Sequence, residues 1–345
     1  MQPRLGTHFE REIREQPALW SRIAASGAAQ HLADALDGDA GMTLVGSGSS
    51  LFAAQLGALA LRRRGIDAHA LAATEARLDR NAYRHRIVVA VSQSGRSSDL
   101  LDAIELLQPL RLVAVTNTPE SPLGARANTV VDVAAGIERA VPASKSVSAT
   151  AALLLWAASL LATDGRRDGA MLDRTAHAID HWLEDSESPG GGIGDVALAA
   201  ERIARRSNVV VLGSDYGLPI ALEASLKLKE ACYVHAEGFA SGEFRHGSIA
   251  MVDASYAVLG IVDDDALGIV ARPLREIATS EALRYTIGNP QVDDIASLGP
   301  RVETPFNTLA WLVTAQLIAL FAARARHIDP DTPRGLSKAL VTERA

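Results

Sequence analysis

The sequence predicts an α/β fold with two domains, each built on a parallel β-sheet covered by helices. The chain has 345 residues, about twice the length of a typical domain of roughly 150 residues. Short, fully apolar segments alternate with helical patterns, which is typical of parallel strands that are buried on both faces. Apolar residues make up 48% of the chain and aromatic residues only 4%. This composition suits packed α/β layers better than an aromatic-rich β-sandwich.

The first half of the chain opens with helices and continues with alternating strands and helices. In residues 7–40, Phe9, Ile13, Leu19 and Trp20 recur at helical spacing among charged residues. Strands are predicted at residues 42–45, 86–91, 112–116 and 129–133. Helices are predicted at residues 51–61 and 99–107, and residues 117–122 are predicted as a turn and a helix start. The apolar segment 149–163 is predicted as a buried core helix, because it is shorter than the roughly 20 residues of a membrane span.

A polar, glycine-rich segment at residues 184–192 predicts the domain boundary. It divides the chain into an N-terminal domain, residues 1–185, and a C-terminal domain, residues 193–345. The strand–loop–helix order then restarts. Strands are predicted at 208–212 and 255–262, a loop at 213–217, and helices at 218–232 and 307–325. The repeated order indicates a duplicated domain.

Composition weighs against several classes of protein. The net charge of −7 and the pI near 5.7 are unlike the basic excess of a nucleic-acid-binding protein. The single cysteine, Cys232, excludes an internal disulfide and argues against a cysteine-based metal site. The first residues lack the apolar region of a signal peptide. We therefore expect a cytoplasmic protein with no metal, cofactor, nucleic-acid or membrane partner.

Two serine-rich loops follow predicted strands, with the sequences GSGSS at residues 46–50 and SQSGRSS at residues 92–98. Parallel strands end at the crevice where ligands bind, and the next helix offers N–H groups and a partial positive charge. Neither loop matches a nucleotide-binding motif. The loops therefore predict an anion site, to which Arg96 would add a cation. The alternative is that these serines and glycines only form turns and helix caps.

The predicted helix in the second half carries charges on one face. Glu223, Lys227 and Glu230 fall at i, i+4 and i+7, either as a surface ion-pair ladder or as part of a site. A carboxylate beside a lysine and a histidine suits proton transfer between adjacent carbons of a sugar. His246, in the sequence GEFRHG, is either a ring-opening group or a surface histidine. Lys338 is either solvated or, if desolvated, an amine able to attack a carbonyl.

Together these segments resemble the SIS (sugar isomerase) family, in particular the isomerase half of glucosamine-6-phosphate synthases. The matching motifs occur in the same order over nearly the whole chain: EIREQP (12–17), GSGSS (46–50), SQSG (92–95), ALEASLKLKE (221–230), YVHAE (233–237), GEFRHG (242–247) and LSKA (336–339). The resemblance implies two SIS domains, each a five-stranded parallel sheet flanked by helices, in a homodimer.

The resemblance also implies roles for individual residues. Substrate and phosphate binding would fall to Gly48, Ser49, Ser50, Ser92, Gln93, Ser94, Ser97, Lys145 and Glu223. Glu230 would move a proton between C1 and C2 of the sugar, with support from Lys227. His246, supplied by the neighbouring subunit, would assist ring opening. Lys338 would contact the open-chain sugar and is a candidate to form a Schiff base at C2.

The sequence departs from the synthases in two ways. Residue 2 is Gln and the only cysteine lies mid-chain, so we expect no glutaminase activity. The Ser-Thr-Lys of the synthases is replaced by ASK at residues 143–145, and the acidic residue after SQSG is replaced by Arg96. The sequence SQSGRS is similar to stand-alone SIS deaminases. The expected function is conversion of glucosamine 6-phosphate to fructose 6-phosphate and ammonia. The alternatives are a fructosamine-6-phosphate deglycase and a non-catalytic sugar-phosphate sensor.

Overall fold

The computed structural model describes residues 4–38, 40–76, 80–162, 166–184, 192–263, 267–288, 292–302 and 305–338. These residues form two compact units. The first-sheet unit contains the described residues of 18–138, 145–174 and 337–345, and the second-sheet unit contains those of 1–17, 139–144 and 175–336. Residues 185–191 of the expected domain boundary lie outside the described residues, so the division into 1–185 and 193–345 stays a prediction.

The helices are, in chain order, α1 (Thr7–Arg14), α2 (Gln16–Ala25), α3 (Ala28–Leu36), α4 (Ser49–Arg63), α5 (Ala73–Ala76), α6 (Arg80–Tyr83), α7 (Ser98–Leu107), α8 (Lys145–Leu160), α9 (Arg166–Glu184), α10 (Ile193–Ala204), α11 (Gly217–Cys232), α12 (Ser241–Phe244), α13 (Leu267–Glu276) and α14 (Asn307–Ala325). The strands are β1 (Met42–Gly46), β2 (Ala68–Ala72), β3 (Ile87–Ser92), β4 (Arg111–Thr116), β5 (Thr129–Asp132), β6 (Asn208–Gly213), β7 (His235–Ala240), β8 (Tyr256–Val262), β9 (Leu283–Gly288) and β10 (Ser297–Leu298). Short 3₁₀ helices lie at Gly124–Arg126, Ser248–Met251 and Ala278–Ser280.

The first sheet is parallel throughout, with strand order β2-β1-β3-β4-β5. Strands β1 and β3 are buried along their whole length, which explains their continuous apolar sequences. Leu44 and Val89 are paired at the centre of the sheet and are fully buried. Helix α8 is buried from Lys145 to Ser159. This confirms the predicted core helix, which begins at Lys145 rather than at residue 149.

The second sheet repeats this topology, with the parallel order β10-β9-β8-β6-β7. Helix α14 packs against α10 and α11. Its length and mean hydropathy of 1.5 would allow it to cross a membrane, but 83% of its 18-residue apolar window is buried within the protein, as in a core helix. The prediction of an α/β fold with two five-stranded parallel sheets flanked by helices is confirmed.

Candidate active site

The two serine-rich loops lie side by side at the switch point of the first sheet. Strand β1 is hydrogen-bonded to β2 on one side and to β3 on the other, so the chain runs outward from β1 in opposite directions. In such sheets the loops after the two central strands border a ligand crevice. The loops that follow β1 and β3 contain GSGSS and SQSGRSS. The topology therefore brings together the two segments that the sequence identified separately.

The loop after β1 depends on glycine at two positions. A Cβ on Gly46 would lie 2.7 Å from the carbonyl carbon of Ser50, so only glycine lets α4 start so close to the strand. Gly48 adopts φ 54° and ψ −131°, a conformation open mainly to glycine. Helix α4 begins at Ser49, and Ser49 and Ser50 are partly buried. The first turn of this 15-residue helix therefore lies at the switch point, where the N–H groups of Ser50 and Leu51 donate to the carbonyl oxygens of Ser47 and Gly48.

The loop after β3 is held in shape by its own serines. Ser92 is 7% exposed, and its Oγ accepts a hydrogen bond from the backbone N–H of Gly95 at 3.0 Å. Ser94 Oγ accepts one from the N–H of Arg96 at 3.3 Å. Gly95 has φ 62°, and a Cβ there would lie 2.0 Å from Ser121 Oγ. Each serine hydroxyl that accepts an N–H still has its own proton to donate to an anion.

The remaining residues of this loop are more accessible. Gln93 is partly buried, and its carbonyl oxygen accepts the N–H of Asn117 at 3.2 Å. Ser97 precedes α7, and within the described residues its hydroxyl makes no capping hydrogen bond to that helix. Arg96 is exposed. Turn formation accounts for Ser92 and Ser94 in part, but it does not account for Ser97.

A buried carboxylate lies at the start of α8 that the sequence patterns do not single out. The Glu138 side chain is 0% exposed and Lys338 Nζ lies 2.9 Å from its Oε2. Ser146 donates its backbone N–H to Oε1 at 3.1 Å and its hydroxyl to Oε2 at 2.7 Å. Lys145, the first residue of α8, is 5% exposed. The feature of the sequence that could have identified this site is an acidic residue, Glu138, eight positions before Ser146 at the start of α8. Lys338 is therefore docked and 28% exposed, not fully solvated.

The charged face of α11 is buried, which excludes a surface ion-pair ladder. The Lys227 side chain is 0% exposed, and its Nζ lies 2.5 Å from Glu230 Oε2 and 3.5 Å from Glu223 Oε1. Glu223 is 1% exposed, whereas Glu230 is 21% exposed. A buried ammonium is tolerated when carboxylates balance its charge. Of these three residues, Glu230 is the one whose side chain is partly exposed to solvent.

Helix α11 occupies the same place in the second sheet as α4 in the first. Strand β6 lies between β7 and β8, so a second switch point borders the loop that leads into α11. A Cβ on Gly213 would lie 2.1 Å from the carbonyl oxygen of Gly217, which is the same close strand–helix approach as at Gly46. The three charged residues of α11 are thus carried by the helix that starts at a ligand-type crevice.

The other titratable residues near α11 have separate surroundings. His246 follows α12 and is exposed. Its neighbour Arg245 binds Glu276, with Nε 2.7 Å from Oε2 and Nη2 2.9 Å from Oε1. These hydrogen bonds raise the pKa of Arg245 and lower that of Glu276. His235, on β7, contacts Asn208 through Nδ1 at 3.0 Å and is exposed. The charge-rich sequence therefore does not form a single cluster.

The candidate residues divide between the units. The first-sheet unit holds Gly48, Ser49, Ser50, Ser92, Gln93, Ser94, Ser97, Lys145 and Lys338. The second-sheet unit holds Glu223, Lys227, Glu230 and His246. In the part of the chain that the structure describes, no group of three or more His, Cys, Asp or Glu side chains is arranged to hold a metal ion. The groups available are hydroxyls, backbone N–H groups, amines and carboxylates, which suit anion binding and proton transfer.

Residues 41–160, from β1 to the end of α8, match the SIS domain. This stretch of the chain is an SIS domain. Glutamine–fructose-6-phosphate aminotransferase [isomerizing] of Sulfolobus acidocaldarius is 30% identical over 308 residues, covering 88% of this chain and 50% of that protein. The Mycolicibacterium smegmatis protein of the same name is 34% identical over 275 residues, covering 75% and 44%. The SIS-containing chain spans about half the length of these relatives.

Solved structures share the fold over almost the entire chain. The C-terminal domain of glucosamine-fructose-6-phosphate aminotransferase from Francisella tularensis has a TM-score of 0.81 at 21% identity, covering 94% of this chain and 98% of that one. Glucosamine-6-phosphate deaminase from Thermotoga maritima gives 0.77 at 19% identity, covering 97% and 100%. Tagatose-6-phosphate ketose/aldose isomerase from Escherichia coli gives 0.78 at 20%, covering 97% of each. The predicted resemblance to the SIS family is confirmed.

Proposed function

We propose that this chain is a sugar-phosphate isomerase and deaminase that converts glucosamine 6-phosphate and water to fructose 6-phosphate and ammonia. The observation that carries the proposal is the Lys227–Glu230 pair, in which a buried ammonium holds the carboxylate of a partly exposed side chain. Relatives named for fructose 6-phosphate and for isomerisation support this substrate class. We propose further that the second sheet, with its repeated strand order, is a second SIS domain.

The phosphate would bind at the switch point of the first sheet. The N-termini of α4 and α7 provide partial positive charge. The hydroxyls of Ser50, Ser94 and Ser97 would add donors, and Gly48 allows the backbone to approach the anion. In this proposal the phosphate is bound without a metal ion. The exposed Arg96 would contribute an additional charge.

Glu230 would carry the proton between C2 and C1. In the open-chain amino aldose, its carboxylate takes the proton from C2 and returns it to C1. The oxygen on C1 gains a proton and the amine nitrogen loses one, which leaves a hydroxyl at C1 and an imine at C2. Lys227 would keep the carboxylate oriented, because its Nζ is fixed between Glu223 and Glu230. His246 would assist opening of the sugar ring by proton transfer. The proposal requires these groups and the phosphate loops to act on one substrate molecule.

Lys338 would complete the reaction at C2. Its ammonium gives a proton to the imine nitrogen, the free amine adds to C2, and ammonia leaves. The resulting Schiff base is hydrolysed by water to the ketone of fructose 6-phosphate, which releases the lysine. The chain contains only four lysines, which are Lys145, Lys227, Lys229 and Lys338. Of these four, only Lys229 lies outside the proposed site. This distribution supports a role for a primary amine, which arginine cannot supply.

The test is release of ammonia and formation of fructose 6-phosphate by the purified chain. The substrates are the 6-phosphates of glucosamine, galactosamine, N-acetylglucosamine and a fructosamine, assayed side by side. We expect turnover of glucosamine 6-phosphate, and we expect Glu230→Gln to lower kcat by about 100-fold or more, since the amide cannot accept a proton. Glu237→Gln, the same change on an exposed carboxylate of β7, is the matched control. Wild-type release no faster than that of Glu230→Gln would overturn the proposal.

A further inference from the structure

We propose that Glu138 is a positioning residue that holds the amine of Lys338 at the first-sheet unit. The inference rests on the proposed function for the role of Lys338, but the contact itself stands on geometry. Lys338 Nζ lies 2.9 Å from Glu138 Oε2, across 200 positions of sequence. Charge-assisted hydrogen bonds of this length are stronger than those between neutral groups.

The two ends of the ion pair have different environments. The carboxylate is 0% exposed and the lysine side chain is 28% exposed. The carboxylate is also held by Ser146, whose backbone N–H donates to Oε1 and whose hydroxyl donates to Oε2. A buried, doubly bound acceptor is a rigid anchor, and the partly exposed ammonium stays accessible to a ligand. This is the arrangement expected for holding a flexible side chain in a reactive place.

Helix capping alone accounts for only part of this geometry. A carboxylate at the N-terminus of α8 is stabilised by the helix dipole and by Ser146. Those contacts do not require Lys338 to approach the same oxygen that accepts the Ser146 hydroxyl. Residues 337 and 338 belong to the first-sheet unit, whereas the chain before them, from residue 175, belongs to the second-sheet unit. Glu138 therefore fixes the terminal segment that carries the amine to the unit that carries the phosphate loops.

The contact can be tested without any substrate. The chain has only four lysines, so acetylation by an N-hydroxysuccinimide ester can be followed at each one by peptide mass spectrometry. In Glu138→Gln, labelling of Lys338 relative to the exposed Lys229 should rise by about threefold or more, because the amine loses its charged partner. Ser146→Ala removes one donor but keeps the charge of the carboxylate, so Lys338 labelling should rise less than it does in Glu138→Gln. Equal Lys338 labelling in wild type and Glu138→Gln would overturn the inference.

If Glu138→Gln does not fold, Glu138→Asp provides the same comparison, because the shorter side chain moves the carboxylate away from Lys338 by one methylene.

The functional part is tested by a double-mutant cycle of Glu138→Gln and Lys338→Ala. Alone, Glu138→Gln should lower kcat by about tenfold and change KM by less than about twofold, since the phosphate loops are intact. In the Lys338→Ala background, Glu138→Gln should change kcat by less than about twofold, because Glu138 then has no amine to position. The same loss in both backgrounds would overturn the inference. A wild-type chain inactive on every sugar phosphate would instead refute the proposed function, while the labelling result would still decide the contact.

Discussion

Lysine and arginine are used differently in this chain. Only four of its 34 basic residues are lysine, and three of the four lie among the candidate site residues. Lys145 and Lys227 are buried, and Lys338 is held by Glu138. A compact ammonium fits between two carboxylates, as at Lys227, where a planar guanidinium would need more space. At Lys227, the choice of an amine over a guanidinium therefore follows from the space between the two carboxylates.

Replacing Lys227 should strongly destabilise the fold. Lys227→Met keeps the length of the side chain but leaves Glu223, at 1% exposed, buried without its ammonium partner. Breaking a buried ion pair in this way costs about 3–5 kcal/mol. Urea unfolding measures the change, and Lys229→Met, at the exposed neighbouring lysine, should stay within about 0.5 kcal/mol of wild type. A Lys227→Met chain as stable as wild type would contradict the buried ion-pair network.

Cys232 predicts a pH dependence of stability. Burial raises the pKa of its thiol from 9.0 to about 12. Because folding favours the neutral thiol, this contribution to the free energy of unfolding is fully present below the pKa of the unfolded state. It is lost as pH rises from the unfolded pKa towards the folded one. Between pH 8 and pH 10, wild type should lose about 1.4 kcal/mol more unfolding free energy than Cys232→Ala. The comparison cancels the titration of other groups. Parallel losses in the two proteins would show that the thiol does not titrate as burial requires.

At the scale of elements, the central strands were predictable and several outer ones were not. Strands β3 and β8 have continuous buried apolar sequences, and their predicted positions agree with the structure to within one residue. Strands β2 and β7 lie at sheet edges, with exposed histidines at His69 and His235. Their sequences lack an apolar run, because an edge strand is held by its neighbour and not by burial on both faces. Residues 233–237 therefore looked like a cluster of titratable groups, although residues 235–237 begin a strand.

The strand–helix turn at Gly46 should be intolerant of any side chain. In Gly46→Ala, the added Cβ would lie 2.7 Å from the backbone of Ser50, so the start of α4 must shift. We expect a loss of about 1–3 kcal/mol in unfolding free energy and a weakening of fructose 6-phosphate binding by at least about tenfold. Titration calorimetry and thermal unfolding measure the two effects.

Gly268→Ala is the control for the substitution at Gly46. Gly268 lies in α13, and a Cβ there would meet no atom within 4 Å. This change should be neutral or stabilising, by up to about 1 kcal/mol, because alanine is the better helix former. Unimpaired sugar-phosphate binding by a folded Gly46→Ala chain would show that the loop after β1 does not set the phosphate position.

At the scale of the whole molecule, two sheets of the same topology carry different functional groups. The first presents serine-rich loops at its switch point, and the second presents the charged helix α11. Local motifs identified both, because each lies within about ten residues of sequence. The Glu138–Lys338 pair spans 200 positions, and its partners meet only once the terminal segment has joined the first-sheet unit. Contacts of this kind follow from tertiary folding and have no periodic signature in the sequence.

Mixing two inactive variants would show whether the active site is shared between copies of the chain. His246 is exposed within its own chain, which fits a residue that serves a neighbouring subunit. If Glu230 of one chain works with His246 of its partner, then a heterodimer of Glu230→Gln and His246→Ala contains one site with both native residues. Random reassociation after mild dissociation should then restore about a quarter of wild-type deaminase activity, since half of the dimers are heterodimers with one intact site of two. Each variant reassociated with itself is the control. If activity after mixing stays at the average of the two variants while exchange of subunits is verified by mass, Glu230 and His246 act within one chain.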